Sequence, residues 1–161
     1  MSAPLPLAHF YAGWDVHNQR LIKALAPLTP EQLLLRSAAH MWTVSVLAAH
    51  IVGARVFWFH QIMRAGPAEL DAWLGLDDVD ESQRTLERLL GGLAASWAMI
   101  DDVLARCTSA DLVDTFERVY PTRVKTFTRQ AIILRVLGHD YQHGGEISTV
   151  LGMHGLTGLD E

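Results

Sequence analysis

His139 and His143 stand four residues apart in the run from Arg129 to Leu151. Ile132, Val136, His139, His143, Ile147 and Val150 recur there at spacings of three and four. At about 100° per residue they fall on one stripe of a helix. The two imidazoles therefore share a face one turn apart, and can offer two nitrogens to one cation from a rigid support. The competing reading is a pair of core histidines satisfied by neighbouring polar groups. A metal needs a third ligand from elsewhere in the chain. His50 is the candidate, in the stripe Val46, His50, Gly53, Ala54, Phe57 and Gln61 of another long helix. His17 is a further one, on a stripe of Phe10, Trp14, Leu21 and Leu25. His9, His40, His60 and His154 sit near helix ends or off these stripes. Three neutral nitrogen donors without a thiolate suit zinc, nickel, iron(II), manganese or copper and do not select among them. They leave coordination positions open, as at a catalytic metal and not a closed structural one.

The elements that must position these residues follow from the same periodicity. One helix is predicted from Leu7 to about Ala26. Thr29-Pro30-Glu31-Gln32 is a restart signal, with Thr29 and Gln32 forming a capping box and Pro30 at the first helical position. Thr43 caps the helix that carries His50, which runs to about Arg64 and stops at Ala65-Gly66-Pro67. Small residues at Gly53 and Ala54 let another helix approach or leave room for a ligand. Residues 66–81 read as an acidic, solvated connection with order around Leu70–Leu74. Their spacing is not that of a calcium loop. A third long helix spans Ser82 to about Arg106, weakened locally by Gly91-Gly92. Cys107 follows as an inert, half-buried thiol. Thr108 to Leu112 is a capped single turn, and Val113 to Lys125, with Pro121, is a loop or short extended segment. Thr126 or Thr128 opens the last helix, which Gly152 or Gly155 ends. The expected fold is all-α, a four-helix bundle, in a single domain over residues 1–161.

Composition narrows the partners. The 161 residues are 50% apolar and 19% charged, which is globular, and suffice for one sizeable core. A net charge of -5 without a Lys/Arg cluster argues against nucleic acid. A single cysteine excludes a disulfide framework and fits a reducing compartment. The most membrane-like run, Val44 to Met63, contains His50, Arg55, His60 and Gln61, so a buried helix is expected and not a span. The N-terminus lacks the pattern of a signal peptide. A cytoplasmic protein is expected. Its apolar content predicts a homodimer through helix faces.

The chain resembles the DinB/YfiT-like family of metal-dependent enzymes. The resemblance rests on Tyr11-Ala-Gly-Trp14 with Asn18-Gln-Arg-Leu-Ile, Leu28-Thr-Pro-Glu-Gln-Leu33, Trp42-Thr-Val-Ser-Val-Leu-Ala-Ala-His50-Ile, and His139-Asp-Tyr-Gln-His143-Gly-Gly-Glu-Ile. It implies a divalent metal held by His50, His139 and His143 inside a four-helix bundle, usually within a homodimer. Two positions depart from the family pattern, which often has a basic residue at Gly144 and a glutamine at Glu146. Glu146, one turn beyond His143, is read as solvated surface or, if it points inward, as a partner for an imidazole N–H; a fourth ligand or proton acceptor is the remaining role. Asp140 falls on the flank, where it positions another side chain or faces water.

A metal with open positions can lower the pKa of a bound water or of a bound thiol. The resemblance implies the thiol for some members, in transferases or isomerases. Three functions follow. One is a detoxifying transferase using a low-molecular-weight thiol on a small electrophilic substrate, with Arg129 or Arg135 available for the thiol's polar tail. One is a hydrolase with Glu146 as base. One is a non-catalytic, stress-linked metal-binding bundle.

Overall fold

The computed structural model describes residues 4–159. Four α-helices dominate it: α1 (Ala12–Leu25), α2 (Val44–Arg55), α3 (Leu86–Arg106) and α4 (Arg129–Met153). A two-stranded antiparallel sheet, β1 (Thr115–Tyr120) and β2 (Arg123–Thr128), stands between α3 and α4. The chain is therefore mostly helical and not purely α. Helix α2 packs on α3 and α4, and α1 packs on the same two helices. Their shared core includes Trp14, Leu21, Ile51, Phe59, Leu93, Ile100, Ile132 and Ile147. No helix among the described residues is long and apolar enough to cross a membrane.

The helix starts are set by side-chain caps. Thr43 accepts from the Val46 N–H, Thr85 from that of Arg88 and Thr128 from that of Ala131, each satisfying one of the orphan donors of a first turn. The predicted box at Thr29 forms, with Thr29 N–H donating to Gln32 Oε1 at 2.9 Å and Gln32 N–H to Thr29 Oγ1 at 3.3 Å. It opens a short 3-10 turn, Gln32–Leu34. Thr108 and Asp111 make the second box.

Several boundaries differ from the sequence expectation. The first helix breaks into a 3-10 turn, Leu7–His9, and α1. The Leu7 N–H is drawn to the Cys107 carbonyl at 2.8 Å, so residues 7–9 pack against the end of α3. Phe10, placed on the apolar stripe by sequence, is instead 63% exposed. The third helix starts at Leu86 and not at Ser82, because Thr85 is its cap. Helix α2 continues as a π-helix over Val56–Ile62. In that wider turn both Phe57 and Trp58 border the cleft described below. The largest correction is the hairpin at 115–128, where a loop or short extended segment was expected. Its register pairs Phe116 with Phe127, Arg118 with Lys125 and Tyr120 with Arg123.

Candidate metal centre

His50 lies in the middle of α2, and His139 and His143 in the middle of α4. The packing of these two helices turns the two stripes that carry these histidines toward one another. One possible ligand atom from each imidazole lies within 4.8 Å of the other two. Ring centroids are 4.8 Å apart for His50 and His139, 5.1 Å for His50 and His143, and 4.4 Å for His139 and His143.

Two rings are oriented from behind. His50 Nδ1 is 2.6 Å from Asp77 Oδ2, and His143 Nδ1 is 3.1 Å from Glu146 Oε2. A carboxylate at one ring nitrogen accepts a hydrogen bond from its N–H and leaves the other nitrogen's lone pair for a metal. His139 differs: its Nδ1 is buried and has no hydrogen-bond partner. Burial, then the neighbouring His143 and His50, then Arg55, push its pKa down to about 4 from 6.5, against a smaller pull from Asp77. The ring is thus neutral, the form that ligates. The donor set fits a divalent transition ion: three imidazoles, two of them held by carboxylates and one with a buried ring nitrogen that has no hydrogen-bond partner.

The site opens on one side. A cleft of about 1080 Å³ is bordered by His50 and His139. Gly53, Ala54 and Gly138 border it too, and a Cβ built on Gly53 would meet only Asp77 Oδ1, at 3.6 Å. The small residues on the His50 stripe therefore leave room and do not seat another helix. Trp42 covers a different edge, its ring centroid 4.9 Å from that of His50 and 5.9 Å from that of His143. This gives the tryptophan just ahead of the Thr43 cap a physical role: one aromatic packs on an imidazole from each helix.

The remaining candidates lie elsewhere. His17 is buried on another side of α4, with Nε2 3.1 Å from the Asp140 carbonyl and its ring stacked on Tyr141. Burial lowers its pKa. It does not join the triad. It does explain the departure at position 144, where a Cβ would sit 2.6 Å from His17 Cε1. Glycine is what the packing of α1 on α4 admits there. Arg129 is held by Asp114 and stays off the cleft, whereas Arg135 borders it. Cys107 is half-buried and outside the triad.

Two residues that sequence reasoning passed over prove central. Asp77 was assigned to a solvated acidic run, yet it holds His50 from 27 positions away while Leu76 anchors the loop in the core. Arg55, fully buried at the end of α2, donates through Nε to Asp140 Oδ2 at 2.8 Å and through Nη1 to Asn18 Oδ1 at 2.8 Å. Trp14 Nε1 donates to the same Asp140 oxygen at 2.7 Å. Asp140 is therefore fully buried and positions other side chains; it does not face water. The network ties α1, α2 and α4 together and fixes how α4 presents its histidines. A charged residue inside the apolar stretch of α2 was the available signal, since an unpaired buried cation is too costly to persist.

A family model described as the DinB superfamily matches residues 14–147. A solved DinB-like protein from Bacillus cereus ATCC 10987 is similar in structure, with a TM-score of 0.69 and 16% sequence identity, covering 96% of this chain and 97% of that one. That likeness concerns the fold. A comparison with curated proteins gave no match. With the triad, its tryptophan and the matched span taken together, the chain belongs to the DinB superfamily.

Proposed function

We propose that His50, His139 and His143 bind one divalent transition metal (zinc, nickel or iron) in the core of a four-helix bundle, and that the protein is a metal-dependent enzyme transferring a low-molecular-weight thiol to a small electrophile. The observation that carries this reading is a three-nitrogen donor set opening onto the 1080 Å³ cleft, with no fourth His, Cys, Asp or Glu in the group among the described residues. A metal serving only stability is usually enclosed by four protein ligands.

When bound, the metal would supply Lewis acidity that favours the deprotonated form of a thiol or water. The protein's own groups do the rest. Asp77 and Glu146 hold two imidazoles in the ligating tautomer, Trp42 shields the His50–His143 edge, and the cleft admits the reactants beside His50 and His139. The thiol sulfur would form a bond to the electrophilic carbon as an epoxide oxygen or halide leaves with the bonding pair; the thiol proton passes to solvent.

Thiol transfer is favoured over hydrolysis because Asp77 and Glu146, the two carboxylates that touch the triad, are committed to imidazoles. Neither is free to act as base toward water. The test is thiol consumption with glutathione or cysteine and a halo-nitroaromatic, using protein loaded in turn with each metal. Metal-dependent thioether formation, lost in His139→Ala, is expected. Ester or epoxide hydrolysis that needs no thiol would transfer the reading to the hydrolase. Inactivity of fully loaded protein in both assays would favour the non-catalytic bundle.

A further inference from the structure

The lining of the cleft onto which His50 and His139 open carries three cations: Arg118 on β1, Lys125 on β2 and Arg135 on α4. Among the described residues none of the three has an ion-pair partner. They lean instead on aromatic rings. The Arg118 guanidinium carbon is 4.7 Å from the Phe57 centroid and 4.5 Å from that of Tyr120. Arg135 is 4.9 Å from Trp58, and the Lys125 ammonium is 5.1 Å from Phe127. Such stacking holds a cation's position while leaving its N–H donors unused.

Their arrangement opposes the hairpin's own stability. Arg118 and Lys125 are directly opposite in the register of β1 and β2, so their side chains project from the same face of the sheet. Like charges placed this way destabilise a strand pair. Arg135 adds a third positive charge facing the same cleft, in a chain whose net charge is -5. Among the described residues the carboxylates bordering the cleft are Asp77, which is bonded to His50, and Asp78. Arg135 precedes His139 by four residues on α4 and Gly138 and Gln142 share that face, so the cations start about one helical turn, roughly 5–6 Å, from the metal-ligating ring.

We infer that Arg118, Lys125 and Arg135 form an anion subsite that binds a carboxylate or phosphate group of the small molecule whose other end reaches the histidines. An anion between the three would relieve the Arg118–Lys125 opposition, and the forks of two arginines match the planar oxygens of such groups. The inference deepens the metal-site reading and rests on it only for the far end of the molecule. The cleft's apolar lining from Phe57, Leu74 and Phe127 would accommodate a hydrocarbon part of the same molecule.

The test uses metal-free and zinc-loaded full-length protein, titrated with succinate and with inorganic phosphate by calorimetry at low ionic strength. Saturable one-to-one binding of at least one probe to the metal-free protein is expected, and which one binds separates carboxylate from phosphate. Arg118→Gln and Arg135→Gln should each weaken it about tenfold, the loss of one charge-assisted contact. Arg106→Gln, at an exposed pair with Asp102, should not. Lys125→Glu should abolish binding and raise the melting temperature, because it converts the like-charge pair into an opposite-charge one. Anion binding that survives in His143→Ala after metal is lost would support the subsite independently of the metal reading. No saturable binding by wild type, or wild-type affinity in both arginine variants, would overturn it.

Discussion

Positions 139 and 140 are neighbours in sequence and opposites in chemistry. His139 looks toward a cleft with a buried nitrogen that nothing in the protein engages. Asp140 points the other way, fully buried, its Oδ2 taking hydrogen bonds from Trp14 and Arg55. Helix α2 repeats the pattern: His50 borders the cleft and Arg55 is sealed in the core. Each helix thus carries one polar group for structure and another that keeps coordinating capacity in reserve. Burial alone does not separate them, since Asp140 Oδ1 is also without a hydrogen-bond partner. Access does: Asp140 and Arg55 border neither this cleft nor the smaller cavity beside Glu146.

The comparison can be broken on either side. The largest stability effect should come from Arg55→Ala, which leaves Asp140 as an uncompensated buried charge. Removing one partner of a buried pair costs about 3–5 kcal/mol, a large share of a typical folding free energy. Urea unfolding followed by circular dichroism measures it. His50→Ala, which borders solvent, should cost much less stability while removing metal.

Asp77→Ala should act in the opposite sense, on the metal more than on the fold. Loss of a carboxylate behind a ligating imidazole weakens metal binding about 10- to 100-fold. Competition with a chromogenic chelator reads the change. Glu146→Ala should fall at the low end of that range, because its side chain is 41% exposed and its contact with His143 is longer than that of Asp77 with His50.

The smallest effect is on pH. Folded His139 refuses a proton until about pH 4, whereas the unfolded residue accepts one near 6.5. The unfolded state then binds more protons between these values, so stability of metal-free protein should fall as pH drops through that window and be fully present above it. His17, whose pKa is also lowered by burial, adds in the same direction. Chemical denaturation at pH 7 and pH 5 tests the sign, and the slope should flatten in a His139→Gln variant.

What the sequence disclosed were features carried by local spacing. The stripes that aim His50, His139 and His143, the cap at Thr43, the helix start at Thr126 or Thr128, the box at Thr29, the capped turn at Thr108, and the proximity of Glu146 to His143 all lie within a few residues of their partners. The hairpin was obscured because Arg118 and Lys125 occupy the face shared with Phe116 and Phe127, which blurs the alternation that marks a strand. Asp77 and the Arg55–Asp140 pair were hidden for another reason. Their partners are 27 and 85 positions away, and no local pattern distinguishes such an acid from a solvated one. Sequence periodicity aims a side chain at the core; only the packing of α2 on α4 says what it finds there.

The most direct measurement is elemental analysis of protein purified without a metal-carrying affinity tag, with wild type and His143→Ala side by side. About one transition metal per chain in the wild type, and none in a folded His143→Ala protein, is the expected result. No metal in a folded wild type offered zinc, nickel and iron(II), or undiminished metal in the variant, would contradict the three-histidine centre.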